Sequence, residues 1–160
     1  MIRRWLHAAL VVSDLERSKS FYEKLGFTVV REQYLTNPTG WAKLGLTPGR
    51  MRYAIMQLKD ETGMPKSDSL SDYAGPVLDL AQPMNPPPAA GNSQTVTSIG
   101  LQRLSFEVDD IDLAYSTLKE MGAHFLGPVG TVPLASGNMH MFVVEDPDGI
   151  FIEIGGPRKS

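Results

Sequence analysis

The chain of 160 residues contains no cysteine. That removes disulfides, thiolate metal ligands and cysteine nucleophiles together. It also lacks a basic run: 15 Lys and Arg stand against 18 Asp and Glu, for a net charge of −3, which argues against a nucleic-acid surface. No stretch reaches the length of a transmembrane helix. The opening MIRRWLHAALVV imitates a signal peptide, but its apolar run is short, holds His7 and leads into SDLERSKSFYEKLG without a small-residue cleavage site. A cytoplasmic protein with no membrane partner is therefore expected. Hydrophobic residues make up 42% and charged residues 21%, ordinary proportions for a globular protein. The length suits one compact domain or two small half-domains sharing a core.

What is present is a repeat. Shifting the sequence by 96 positions lays His7 on Arg103, Leu10 on Phe106, Val12 on Val108, Gly26 on Gly122, Gln57 on Glu153 and Leu58 on Ile154. One offset held throughout reads as one module written twice.

Each copy reads as strand, helix and three strands. Residues 3–12 are apolar enough for a strand buried on both faces. Ser13 and Glu16 have capping-box spacing, Leu15, Ser18, Phe21, Tyr22 and Leu25 follow at helical spacing, and Gly26 ends the helix. Strands are predicted at 27–35, 40–46 and 51–59, separated by the turn residues Asn37-Pro38-Thr39-Gly40 and Thr47-Pro48-Gly49. The second copy starts with strand LQRLSFEV, then a helix capped by Asp109, with Asp112 in the capping-box position, and stopped by Gly122. Strands near 123–132, 138–145 and 150–155 follow, the last two joined by Asp146-Pro147-Asp148-Gly149. This gives modules 1–59 and 99–160. Residues 60–98, with Pro65, Pro76, Pro83 and Pro86-Pro87-Pro88, read as a stiff tether or as a lid over a pocket.

In each copy the first and last predicted strands carry one polar residue among apolar neighbours: His7 and Gln57, then Arg103 and Glu153. Alternation puts all four on the face away from the helix. Buried polar groups are costly without partners, so four related positions suggest a site. Trp5, Tyr53, Ile55, Ser105, Met141, Val143 and Phe151 share that parity and are candidates to line it. His140 falls on the opposite face, and His124, at a strand start, should be exposed.

LHAALVVSDLERSKSFYEKLGF, FEVDDIDLAYSTLKEMGA and VVEDPDGIFIEI, taken in that order, resemble the vicinal oxygen chelate superfamily. That superfamily includes glyoxalase I, methylmalonyl-CoA epimerase, type I extradiol dioxygenases and the bleomycin- and fosfomycin-resistance proteins. The resemblance implies an α+β fold of two tandem βαβββ modules forming an open, curved, barrel-like sheet around a small-molecule ligand, often in a homodimer. It implies a divalent metal held at the positions of His7, Gln57, Arg103 and Glu153. Arg103 departs from the pattern, because a guanidinium is always charged and offers no lone pair. Extradiol cleavage and fosfomycin-type transfer, which need that third ligand, are disfavoured, as is metal-dependent glyoxalase chemistry. Arg103 instead pairs with Glu153 in the lost metal's stead, or anchors a substrate oxyanion. If the arginine turns aside, His7, Gln57 and Glu153 with waters form the metal set; otherwise no cofactor is expected.

Two functions follow from the resemblance. One is an isomerase, epimerase or lyase that moves a proton in a small oxygenated, anionic or carbonyl-containing molecule. In it Glu153 shuttles the proton, His7 assists, and Arg103 and Gln57 bind the substrate. The other is a metal-free protein that sequesters a drug or metabolite, with Trp5, Trp41, Tyr53, Tyr73 and Phe151 as stacking surfaces. Aromatics at only 8% of the chain make that surface small.

Overall fold

The computed structural model describes residues 5–43, 45, 49–58, 76–89, 95, 97, 99–134 and 137–159. Residues 3 and 4 of the predicted first strand, the 60–75 part of the tether or lid, and Tyr73 lie outside them. The chain divides into two compact units, Met1–Ala90 and Gly91–Ser160. Among the described residues, no helix is long and apolar enough to cross a membrane.

The first unit runs β1 (Ala8–Val11), α1 (Leu15–Lys24), β2 (Phe27–Leu35), α2 (Pro38–Lys43), β3 (Arg50–Leu58) and β4 (Val77–Asn85). Its sheet has the order β1-β4-β3-β2, with β1 and β4 parallel and the other neighbours antiparallel. The second unit runs β5 (Arg103–Glu107), α3 (Ile111–Glu120), β6 (His124–Phe125), β7 (Gly130–Leu134), β8 (Gly137–Glu145) and β9 (Phe151–Gly156). Here β5 and β9 are parallel, β9 pairs with β8, and β6 and β7 both pair with β8. Gly127-Pro128 interrupts what would otherwise be one strand, since proline has no N–H for the ladder. With β6 and β7 taken as one broken strand, the two sheets share a topology: two βαβββ modules in an α+β fold.

The repeat holds through the helices and then drifts. Helices Leu15–Lys24 and Ile111–Glu120 keep the offset of 96, as do their caps. Both caps sit one residue later than predicted. Asp14 accepts from Arg17 N at 3.0 Å, and Asp110 accepts from Asp112 N and Leu113 N at 3.1 and 3.2 Å. Gly26 and Gly122, at φ of 98° and 72°, supply the left-handed turn after each helix. Beyond them the connections differ in length. Residues 40–43 of the strand predicted at 40–46 belong instead to the short helix α2, and 44 and 46 lie outside the described residues: Asn37 accepts from Thr39 N at 2.8 Å, and Pro38 takes the first helical position, where its missing N–H costs nothing. The third strand of the sheet is then β3, and the fourth lies inside the segment read as tether or lid. Its prolines masked the alternation of Val77-Leu78-Asp79-Leu80-Ala81.

Each helix packs on one sheet face, and the core lies between them. In the first unit Gln82 marks that face, donating to Ser13 O at 2.9 Å and accepting from Leu15 N at 3.3 Å. On its parity Leu78 and Leu80 are buried, as are their cross-strand partners Met56 and Ala54. Tyr22 sits edge-on to Phe21 and Phe27, at 5.3 and 5.9 Å between ring centres. In the second unit Ile111, Leu118, Phe142, Val144, Ile152 and Ile154 are buried, with Tyr115, Phe125 and Phe142 in mutual ring contact. Burying each large side chain contributes about 1.5–3 kcal/mol. Outside the first core, Lys19 and Arg52 bridge Glu16 and Glu32. Lys19 meets Glu16 at 2.9 Å and also bonds Glu32, while Arg52 meets each carboxylate at 2.6 Å, tying α1 to β2 and β3.

Candidate active site

The opposite face of each sheet carries the polar residues. In the first unit β4 lies directly beside β1, with Ala9 registered on Asp79. In the second, β9 lies beside β5, with Ser105 registered on Glu153. Ala9 and Ser105 are repeat partners at the offset of 96, so Asp79 is the counterpart of Glu153. The predicted counterpart, Gln57, lies one strand further in. It is buried on β3, opposite Val77. Its match to Glu153 came from holding the offset constant across connections of unequal length. The same ladders pair Ile55 with Asp79 and Val143 with Glu153, an offset of 88.

Asp79 was missed because its strand was assigned to the linker. The signal was there: Leu78-Asp79-Leu80 has the pattern of Ile152-Glu153-Ile154, one acid between two residues of the opposite face.

Around Asp79 the first sheet forms a small pocket of about 110 Å³ lined by His7, Gln33, Tyr53, Ile55, Val77 and Asp79. All six belong to the first unit. Strand alternation brings them to one face: Gln33 is paired with Tyr53, and Ile55 with Asp79. His7 immediately precedes β1. Two buried polar atoms here have no hydrogen-bond partner, His7 Nδ1 and Asp79 Oδ1. Burial pushes the Asp79 carboxyl above the ordinary aspartate range, and positive charge on His7 opposes that rise. The predicted lining residues Tyr53 and Ile55 are both in this wall, and Gln33 is an addition.

Glu153 lies in a different setting. Arg103 Nε donates to Glu153 Oε2 at 2.7 Å and Ser105 Oγ donates to Oε1 at 2.7 Å. Arg103 also donates to Gln102 Oε1. The Glu153 side chain is 13% exposed and that of Arg103 39%. Met141 and Val143, on the Glu153 face of β8, are half-buried, and Phe151, registered on Arg103, is buried.

The other candidates separate. Trp5 is 72% exposed and does not line the pocket. Trp41 is not a stacking surface: it is fully buried on α2 and donates to Leu35 O at 3.2 Å. His124 is exposed, with Nδ1 at 3.0 Å from Glu145, and His140 Nδ1 is 3.0 Å from Thr131 Oγ1, on the parity of Phe142. Asp146 in the DPDG turn is buried, and its Oδ1 accepts from Asp148 N and Ile150 N at 2.9 Å each. It fixes the turn that launches the strand of Glu153.

The donors around Glu153 do not fit a divalent metal. Among the described residues no group of three or more His, Asp or Glu side chains is assembled to hold one. Both oxygens of Glu153 are taken by donors, one of them a permanent cation.

Comparisons with known proteins agree with the fold. The sequence model of the Glyoxalase/Bleomycin resistance protein/Dioxygenase superfamily matches residues 4–154. The uncharacterized protein YwkD of Bacillus subtilis is 30% identical over 149 residues, 92% of each chain. A glyoxalase family protein from Bacillus cereus has a similar structure, with a TM-score of 0.81 at 21% identity, covering 99% of this chain and 97% of that one. The trypanothione-dependent glyoxalase I of Leishmania major gives 0.60 at 21% identity, covering 96% and 86%.

Proposed function

The chain belongs to the glyoxalase, bleomycin resistance protein and dioxygenase superfamily, and within it we propose an enzyme that moves a proton on a small carbonyl compound, using the pocket of the first module. One observation carries this reading. His7 Nδ1 and Asp79 Oδ1 are buried at the same pocket with no protein partner. Leaving a buried polar atom unpaired costs about 1–3 kcal/mol. Two such atoms at one pocket are best explained by a ligand that completes their hydrogen bonds.

The chemistry follows from their environments. A carboxyl whose hold on its proton is strengthened by burial can, in its protonated form, donate to an oxygen on which negative charge develops. With the substrate carbonyl accepting from Asp79, the imidazole of His7 takes a proton from the adjacent carbon. The electron pair of that C–H bond becomes the new C=C bond, and the carbonyl π pair moves to oxygen, which takes the Asp79 proton, giving an enol. Return of the proton to the other face, or to the neighbouring carbon, completes an epimerisation or isomerisation. Tyr53 and Gln33 orient the substrate oxygens. This assigns to Asp79 the proton role that the sequence pointed to in Glu153. Arg103 and Glu153, with Ser105, form a balanced ion pair that stands in place of a metal and moves no proton.

The test is hydrogen exchange at carbon. Full-length protein in D₂O with hydroxyacetone should catalyse loss of the substrate C–H signals in ¹H NMR. Asp79→Asn and His7→Gln should each slow it by about 10²–10⁴-fold, the usual contribution of a positioned acid or base. Stoichiometric ligand binding without exchange in the parent protein would overturn the catalytic reading in favour of sequestration.

A further inference from the structure

The pocket also says what kind of group enters it. We propose that it accepts an uncharged, oxygenated fragment of four or five non-hydrogen atoms, such as a hydroxyketone end, and rejects a carboxylate of the same size. The inference rests on the proton-transfer reading for its site and adds the substrate class.

Charge is the first argument. Among the described residues the lining includes no lysine or arginine. The basic group there is His7, and Asp79 beside it offsets any positive charge it carries. A bound carboxylate would therefore be desolvated against a wall with no surplus cation and with a carboxyl at its centre. Burying an anion without a counter-charge is far more costly than burying a hydrogen-bonded hydroxyl or carbonyl. An ionised Asp79 adds repulsion, and a neutral one supplies no attraction of charge to charge.

Size and polarity complete the argument. A closed cavity of about 150 Å³ admits benzene, with its six heavy atoms, so the space of about 110 Å³ inside this partly open pocket has room for four or five. Its polar groups suit an uncharged guest. The carboxyl and imidazole, the Gln33 amide and the Tyr53 phenol offer donors and acceptors for a carbonyl and an adjacent hydroxyl. Ile55 and Val77, both buried, give an apolar wall for a methyl group and set the limit on size.

Hydroxyacetone and glycolate test this directly, because they have the same number of heavy atoms and differ in that a methyl ketone replaces a carboxylate. Titrating each into ¹⁵N-labelled full-length protein should shift the amides of Ile55, Val77 and Asp79 with hydroxyacetone, and with at least about tenfold weaker affinity for glycolate. Asp79→Asn should narrow that ratio, and Val77→Ala should admit 1-hydroxybutan-2-one, one methylene longer. If Val77→Ala does not fold, Ile55→Val tests the same wall. Equal or tighter binding of glycolate, or no shifts with hydroxyacetone, would overturn the proposal. Failure of the two readings is distinguishable. Preferential binding of hydroxyacetone without C–H exchange removes the catalytic reading and keeps this one. Exchange of hydroxyacetone by a protein that binds glycolate more tightly does the reverse.

Discussion

The two modules share a topology and put a carboxylate at the same register position, yet treat it in opposite ways. In the first, Asp79 is half-buried next to His7, with one buried oxygen lacking any hydrogen-bond partner. In the second, Glu153 has a donor on each oxygen, at 2.7 Å from Arg103 and Ser105. The residue one strand over makes part of the difference. The register partner of Asp79 on β1 is Ala9, which has nothing to donate, whereas that of Glu153 on β5 is Ser105, which does. A duplicated fold thus supplies two equivalent positions, and the neighbouring side chains decide which carboxylate keeps an unpartnered oxygen and which is neutralised.

The largest effect that would break this comparison is at Asp79. Asp79→Asn should abolish most of the exchange activity, by about 10²–10⁴-fold, while Arg103→Met should change it little. Equal losses would mean the two carboxylates act as one unit. Stability should also respond to pH at Asp79. Its folded pKa is raised above the unfolded value, so the folded state holds the proton more tightly than the unfolded chain. That contribution is present at low pH and is lost as pH rises through the folded pKa. Asp79→Asn should therefore flatten the fall in chemical-denaturation stability above the ordinary aspartate range.

Glu16 and Glu32 run the other way. Hydrogen bonds from Lys19, and then from Arg52, hold both carboxyls below the usual range. Their contribution is present above the unfolded value and is lost as pH falls through the lowered one. Replacing both with glutamine should weaken the acid limb of the stability profile and leave the Asp79 limb unchanged.

Next in size is Asp146. Its carboxylate accepts two backbone N–H groups in a buried turn, so Asp146→Ala should cost about 2–3 kcal/mol in urea unfolding. Its effect should fall on the module of Glu153 and spare the pocket of Asp79. For Arg103→Met a loss of roughly 1–2 kcal/mol is expected, smaller than for a fully buried pair because the arginine is partly exposed to water. The caps should matter least: Asp14→Ala and Asp110→Ala should each cost about 1 kcal/mol. Asp110, with two accepted bonds against one, should be the costlier.

Much of this was legible in the sequence, and the limits have physical causes. The first strand, helix and glycine stop of each module were readable because hydrophobic period and capping chemistry are local. The Arg103–Glu153 pair was readable because an arginine in place of a ligand needs a carboxylate. The counterpart of Glu153 was not found, since it depends on which strand lies beside β1, a long-range fact that a constant offset of 96 does not encode. Asn37-Pro38 also serves two structures, a turn or the first residues of a helix, and only the chain beyond it decides between them. Prolines in 60–98 hid a strand because Pro83 sits near the end of β4, where the ladder tolerates it.

The most direct test of the account is the titration of the Asp79 carboxyl, followed by ¹³C NMR in the parent protein and in His7→Gln. The expected result is a midpoint above the ordinary aspartate range that rises further when the opposing charge of His7 is removed. A midpoint within or below that range, unmoved by His7→Gln, would contradict it: Asp79 would then be a solvated carboxylate, and the two modules would not differ in the way on which the proposed chemistry depends.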